Sequence, residues 1–255
     1  MKNLIRLIPL FVLLALAIPV VASSPQQSGD DFYRVAQKLY DEHKFDEALA
    51  PCLKAIELLP NDYRPRVMAG FIYALQHKYK ESSDALAEAV RLEPRKEYYL
   101  IKARIDHDFA PAEAVLAARK AIEIDPNYAE AWAELGSVLA FKEQTRAEGI
   151  DALRTALRLN PKLYATYNAL GLVLMFAKDD KGAEEAFRQA IEGDPKHMAG
   201  RFWLGRMLVK QGRLAEARKL WDERTSDLDV TLPLFIELLE RAENAKRSSP
   251  RTVKQ

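Results

Sequence analysis

Residues 164–195 read YATYNALGLVLMFAKDDKGAEEAFRQAIEGDP, and this stretch contains one complete structural unit. Apolar and small residues recur at helical spacing on both sides of a polar break at residues 178–181. They are Tyr167, Leu170, Gly171 and Leu174 before the break, and Ala183, Phe187 and Ala190 after it. The stretch therefore predicts two amphipathic helices joined by a short turn. Pro195 has no N–H to donate, so the second helix must end just before it.

The same unit recurs along the chain. Prolines stand at Pro60, Pro94, Pro126, Pro161 and Pro195, at intervals of 32 to 35 residues. A nearly fixed period of this length is typical of a stacked repeat array. Each unit of such an array covers the apolar face of its neighbour, so we expect one elongated core without an internal linker.

The pattern W-x2-L-G-x2-Y, followed by A-x3-F and P, is that of the tetratricopeptide repeat, and the chain resembles this family along most of its length. Further matches are Trp132, Leu135, Gly136 and Leu139; Leu204, Gly205, Leu208, Ala217 and Trp221; Gly70, Tyr73 and Ala89; and Phe32, Ala36, Ala48 and Ala55. The resemblance implies an all-α, right-handed solenoid of about six helix-turn-helix units. The expected units cover residues 30–60, 63–94, 95–126, 127–161, 162–195 and 197–230.

The N-terminus has the pattern of a signal peptide. Lys2 and Arg6 precede an apolar run over residues 7–18, and Ala22 closes a small-residue cleavage signal. We predict a signal peptide over residues 1–22, a flexible leader over residues 23–29 and export, in a bacterium to the periplasm. An uncleaved membrane anchor is the alternative, although the run is shorter than the ~20 residues that a spanning helix needs.

Charge and cysteine content exclude several classes of protein. The chain has 38 Lys and Arg against 37 Asp and Glu, a net charge of +1. This balance predicts no attraction to nucleic acid and no membrane contact beyond the signal peptide. Cys52 is the only cysteine, so no intrachain disulfide can form, and we interpret it as a buried structural thiol.

Three local features depart from the repeat or interrupt it. His43 and His77 are interpreted as turn residues with left-handed backbone geometry. Lys102 takes a position that is Gly or Ala in other units. Residues 106–108, Asp-His-Asp, could contribute to a metal site, but no further ligand has helical spacing, so a solvated turn is favoured.

After the last unit, residues 231–243 predict a helix that caps the array. Leu234, Leu238, Leu239 and Ala242 share its apolar face. Residues 244–255 contain four basic residues and no acid, and we expect a basic disordered tail.

No catalytic motif is recognisable. The sequence contains no HExxH, no GxxxxGK[ST], no GxGxxG after a strand and no GxSxG. We expect no enzyme activity, cofactor or metal, and no catalytic residue is assigned.

The remaining source of function is the groove, because the resemblance implies that the first helix of each unit lines a concave surface. The candidate ligand-contacting residues are Tyr33, Gln37, Tyr40, Phe71, Phe141, Asn168, Met175, Phe202, Arg206 and Lys210. Repeating aromatic side chains on one wall are typical of an interaction surface. Other members of the wall, such as Val67, Ala133 and Leu172, are interpreted as packing residues.

These observations predict a non-enzymatic scaffold that binds a protein or peptide ligand in its groove, within the cell envelope. The carboxylate clamp of some family members is not reproduced in successive units. Two alternatives remain open: an assembly factor that holds an envelope complex through its convex face or cap, and an enzyme with an unrecognised site. The sequence does not determine the oligomeric state.

Overall fold

The computed structural model describes residues 24–140, 142–195, 198–222, 237, 239–242 and 244. It confirms the prediction of an all-α solenoid, because the α-helices in these ranges follow one another as six pairs, each joined by a short connection. The pairs are α1 (Pro25–Asp41) with α2 (Phe45–Leu58), α3 (Tyr63–Leu75) with α4 (Tyr79–Leu92), α5 (Lys96–Asp106) with α6 (Pro111–Ile124), α7 (Ala129–Leu139) with α8 (Arg146–Leu159), α9 (Tyr164–Phe176) with α10 (Asp180–Gly193), and α11 (Met198–Lys210) with α12 (Leu214–Asp222). A short 3-10 helix, Glu143–Thr145, precedes α8.

The apolar core runs along the array because each helix packs on the next one in the chain. Small buried residues mark the crossings, among them Ala36, Ala48, Ala118 and Ala183. The largest fully buried side chain is Phe187, which belongs to a cluster that extends from α8 to α12. Contact between successive pairs therefore holds the solenoid together, as expected for a repeat array.

Glycine at the crossings lets the helices of a pair approach closely. A Cβ at Gly171 would lie 2.6 Å from the ring of Phe187. In the α7–α8 pair, a Cβ at Gly136 would lie 2.8 Å from the carbonyl oxygen of Gly149, and one at Gly149 would lie 2.9 Å from the nitrogen of Ala140. A Cβ at residue 149 would meet backbone atoms, so this crossing has no room for the alanine found at the equivalent position of other units.

The turns within the pairs use residues with left-handed geometry. His43 and His77 have φ of 59° and 58°, which confirms the interpretation of both as turn residues. Lys178 and Gly212 have φ of 63° and 73° in the corresponding turns. Each of these residues ends a first helix and reverses the chain direction.

The start of the first helix corrects the expected boundary. Helix α1 begins at Pro25 rather than near residue 30, so residues 25–29 are helical and not a flexible leader. Two signals favour this start: Ser24 accepts a hydrogen bond from the Gln27 N–H, and Pro25 stands at the first helical position. Gly29 is buried against Leu59, which explains why the helix extends to cover the end of α2.

The third pair contains a buried ion pair where other pairs have small residues. Lys102 Nζ donates to Asp106 and, at 3.0 Å, to Ser83 Oγ. Asp106 is fully buried, so the interpretation of residues 106–108 as a solvated turn is wrong for this residue. The Lys102 stem occupies the crossing and its charge requires a carboxylate partner, because an unpaired buried charge is costly.

Ion pairs between units supplement the apolar contacts. His107 Nδ1 lies 2.6 Å from Glu134 Oε1, which links the end of α5 to α7. Arg119 bonds Glu148 at 2.6 Å between α6 and α8, and Arg213 bonds Glu184 at 2.6 Å next to α10. These pairs connect neighbouring units and supplement the packing between them.

The ends of the chain are described only in part. Residues 237, 239–242 and 244 are helical, and Leu239 is buried in the same core cluster as α9 to α12. The predicted signal peptide, most of the predicted capping helix and nearly all of the predicted basic tail lie outside the described residues. Within the described ranges, every helix is too short or too polar to span a bilayer.

Replacing Gly171 by Ala should lower the free energy of unfolding by about 1 to 3 kcal/mol, because the new methyl group overlaps the buried Phe187 ring. Urea unfolding followed by circular dichroism measures this change. Gly200→Ala is the matched control, since its Cβ would meet Ile191 Cγ1 at 3.3 Å, a contact that needs only a small adjustment. Equal stability of the two variants would contradict the close crossing.

The His107–Glu134 contact should make stability depend on pH. The hydrogen bond to Glu134 raises the pKa of His107 above its ordinary value. The contribution is therefore complete below the unfolded pKa of about 6.5 and is lost as pH rises through the higher folded pKa. His107→Gln should cost about 1 kcal/mol at acidic pH and much less in alkali. Urea unfolding of wild type, His107→Gln, Glu134→Gln and the double variant measures it, and a cost that is the same at both pH values would refute this account.

Candidate functional site

The first helices of the pairs form one layer of the solenoid. Helix α1 contacts α3, α5 contacts α7, and α9 contacts α11, in addition to the contacts within each pair. We name the partly or fully exposed positions of these helices the first-helix wall. Every residue predicted to contact a ligand lies on it, except Phe141, which is outside the described residues.

At the N-terminal end of the first-helix wall, the two predicted tyrosines are half-buried and only Gln37 is exposed. Tyr40 packs edge-to-face on Phe45 with ring centroids 5.2 Å apart. Tyr33 lies under the Arg64 guanidinium, 5.2 Å from the ring centroid, and burial raises the pKa of its hydroxyl. Both rings therefore take part in packing and stay partly accessible.

Arg64 is a residue of this region that the sequence analysis missed. Its guanidinium donates to Asp30 Oδ1 at 3.1 Å and also pairs with Asp62. Asp30 and Arg64 are one repeat apart, on α1 and α3. Opposite charges at equivalent positions of consecutive units are a signal that could have identified this pair.

The middle of the first-helix wall combines apolar side chains with charged ones, since Glu97 and Arg104 on α5 are exposed. Phe71 on α3 is half-buried, and Ala133 and Ser137 on α7 are also half-buried. Val67 is buried, as expected of a packing residue. Phe71 therefore provides the largest accessible ring among the described predicted residues of this part.

A pocket of about 680 Å³ lies at the C-terminal end of the first-helix wall, between the end of α9, the start of α10 and α11. Its lining residues are Met175, Asp180, Trp203, Arg206, Met207, Val209, Lys210 and Gln211. The structure thus brings together the predicted residues Met175, Arg206 and Lys210. The sequence analysis missed Trp203 and Asp180, because it considered one narrow face of α11 and no residue of α10.

Arg206 is held by two aromatic rings. Its guanidinium carbon lies 4.9 Å from the Trp203 ring centroid and 5.6 Å from that of Phe202. These rings pack edge-to-face on each other at 5.3 Å. Phe202 supports the pocket in this way from behind, and the adjacent Trp203 lines it.

Asn168 lies on α9 two helical turns before Met175. Its Oδ1 atom is buried and has no hydrogen-bond partner among the described residues. A buried amide oxygen without a partner is costly, so Asn168 acts as a packing residue whose Oδ1 atom lies beneath the surface of the wall.

The described residues contain no cluster of three or more side chains that could bind a metal ion. In the turn at residues 106–108, Asp106 pairs with Lys102 and His107 with Glu134, so the two side chains do not converge. Cys52 is fully buried, donates to the Pro65 carbonyl oxygen at 3.1 Å, and burial raises its pKa to about 12. Its thiol is therefore protonated at neutral pH and a poor nucleophile.

Comparison with known proteins agrees with this architecture. The family model described as "Tetratricopeptide repeat" matches residues 168–227. An uncharacterised TPR repeat-containing protein of Arabidopsis thaliana is 38% identical over 63 residues, which are 25% of this chain and 8% of that protein. The chain thus matches only a small part of this curated relative.

Two solved structures illustrate the likeness in fold. YrrB, whose structure is described as a TPR protein with an unusual peptide-binding site, matches with a TM-score of 0.58 and 22% identity over 66% of this chain and 88% of its own. Acl4, described as the assembly chaperone of RpL4, matches with a TM-score of 0.62 and 14% identity over 86% of this chain and 98% of its own. At these identities the likeness concerns the fold.

The family match covers most of the fifth helix pair and the whole of the sixth, and the preceding pairs repeat the same arrangement of crossings, turns and helix contacts. The chain is therefore a tetratricopeptide-repeat protein.

Proposed function

We propose that this protein is a non-catalytic scaffold of the cell envelope that binds a protein or peptide along its first-helix wall. The observation that carries the proposal is the succession of partly exposed aromatic side chains on this wall, namely Tyr33, Phe71 and Phe202. Rings of this kind give large buried areas on binding at a low cost in side-chain entropy. The pocket at the C-terminal end adds polar groups that can orient a ligand.

The similar proteins support an interaction role. YrrB is described as having a peptide-binding site and Acl4 as an assembly chaperone. These descriptions belong to those proteins, and a shared fold does not transfer a ligand. They fit a chain in which the candidate site is a long surface of partly exposed side chains.

The envelope location rests on the N-terminal sequence. Lys2, Arg6, the apolar run over residues 7–18 and Ala22 follow the order of a secretory signal peptide. An uncleaved anchor would place the same solenoid at the membrane surface. Both versions expose the first-helix wall to partners in the same compartment.

The second helices support a second candidate function. Leu116 and Ile124 on α6 are 58% and 47% exposed, and Leu53 on α2 is 38% exposed. Leu116 also borders an apolar pocket of about 310 Å³ between α6 and the end of α7. An assembly factor that holds a complex through this opposite layer would use these side chains.

Replacing Phe71 and Phe202 together by Ala should reduce partner recovery at least about tenfold, because hot-spot aromatics carry much of the binding energy. Crosslinking in the native cell, followed by affinity capture and mass spectrometry, measures recovery against wild type. Circular dichroism should show unchanged helicity.

Leu116→Ala is the matched control for this experiment, since Leu116 is an exposed apolar residue on a second helix. It should leave the captured partners unchanged. Partners that survive Phe71→Ala/Phe202→Ala and disappear with Leu116→Ala would replace the proposal by the assembly function.

A further inference from the structure

We propose that the pocket between α9, α10 and α11 is the anchoring subsite of the first-helix wall, and that it binds a partner segment in which a carboxylate side chain adjoins an apolar one. The inference rests on the proposed function and assigns a ligand chemistry to one part of the wall. Its basis is the combination of an apolar lining with two cations, Arg206 and Lys210, that form no ion pair among the residues that the structure describes.

The apolar part of the pocket comes from Met175, Trp203, Met207 and Val209. Methionine and tryptophan offer a large, adaptable contact area for aliphatic or aromatic side chains. A volume of about 680 Å³ lies within the range of ~300–1,000 Å³ that is usual for ligand sites. The pocket therefore has room for a few side chains and not for a folded domain.

The cations are Arg206 and Lys210, four residues apart on the same side of α11. Both side chains are exposed. Neither forms an ion pair with a carboxylate in the part of the chain that the structure describes. Like charges at this spacing repel each other, so an anion between them relieves the repulsion. Asp180 is the acidic lining residue, and it leaves the pocket with a net charge of one positive unit.

Arg213 shows that other basic residues near this pocket do form ion pairs. It is the next basic residue after Lys210, and its guanidinium bonds Glu184 at 2.6 Å and Glu216 at 2.7 Å. Its charge is therefore neutralised within the solenoid. Arg206 and Lys210, by contrast, keep their charge available for a ligand.

Arg206 is also held in position before any ligand arrives. Its guanidinium lies over the Trp203 and Phe202 rings at 4.9 Å and 5.6 Å. Stacking leaves the edge of the guanidinium free to donate two parallel hydrogen bonds, a geometry that matches a carboxylate. Since the side chain is already restrained, binding costs less entropy than it would for a freely moving arginine.

Charge argues against the protein's own C-terminal tail as the occupant. Residues 245–255 contain Lys246, Arg247, Arg251 and Lys254 and no acid. Such a segment would be repelled by Arg206 and Lys210. An acidic segment of another protein is the occupant that complements both the charge and the apolar lining.

A peptide-display selection on the full chain tests the inference. Random peptides should be enriched for Asp or Glu next to aliphatic or aromatic residues. One enriched peptide is then synthesised with a fluorescent label, together with its Asp→Asn and Glu→Gln version, and binding is followed by fluorescence anisotropy. We expect the neutral version to bind at least tenfold more weakly, and higher salt to weaken the acidic one.

Variants of the chain locate the effect. Arg206→Glu with Lys210→Glu should weaken the acidic peptide at least tenfold, whereas Arg206→Lys, which keeps the charge but loses the stacked fork, should give a smaller loss. Arg158→Glu with Lys162→Glu makes the same change of net charge at exposed positions outside the pocket and should bind as wild type does. Thermal unfolding shows that each variant is folded.

Several results would overturn the inference. They are enrichment of neutral or basic peptides, acidic peptides that bind Arg206→Glu/Lys210→Glu unchanged, and binding that disappears when residues 245–255 are deleted, which would assign it to the tail. Peptides that need Phe71 but not Arg206 or Lys210 would reject this subsite and leave the proposed function in place. Peptides that need none of these residues would reject both.

Discussion

The close crossing of two helices at a small residue is the interaction on which the rest of the solenoid depends. In the fifth pair, Gly171 faces the ring of Phe187, and no side chain larger than hydrogen fits between them. In the fourth pair two glycines meet, and in the first pair Ala36 and Ala48 occupy the same place. Close approach buries the apolar stripe of each helix, and the next pair covers what remains exposed. The repeat length then follows from two helices and two turns.

The third pair shows what happens when the crossing residue is large and charged. Lys102 cannot be left unpaired inside the array, and Asp106, one turn further on α5, supplies the carboxylate. This arrangement leaves one buried acceptor, Asp106 Oδ1, without a hydrogen-bond partner among the described residues. His107 and Glu134 connect this pair to the next one, so the most irregular pair is also tied by charge to its neighbour.

The distribution of charge along the first-helix wall separates structural from available polar groups. At the N-terminal end Arg64 is engaged by Asp30 and Asp62 and covers Tyr33. At the C-terminal end Arg206 lies over two aromatic rings and forms no ion pair with the residues that the structure describes. A cation that is held by rings keeps its hydrogen-bonding edge free, whereas one that is held by carboxylates does not. This difference gives the two ends of the wall different chemistry, although both carry tyrosine, phenylalanine or tryptophan.

The sequence by itself determined the helical class and the repeat period, because these depend on local spacing: apolar residues at helical intervals, small residues at most crossings and proline after each of the first five units. It also identified His43 and His77 as turn residues. The tertiary structure decided which polar side chains are satisfied. Asp106 was expected in solvent and is buried, and Arg64 finds Asp30 a whole repeat away. Trp203 joins Met175 in one pocket although they lie on different helices. Such contacts depend on how one unit is rotated against the next, and that rotation is fixed by packing between units, which no local pattern records.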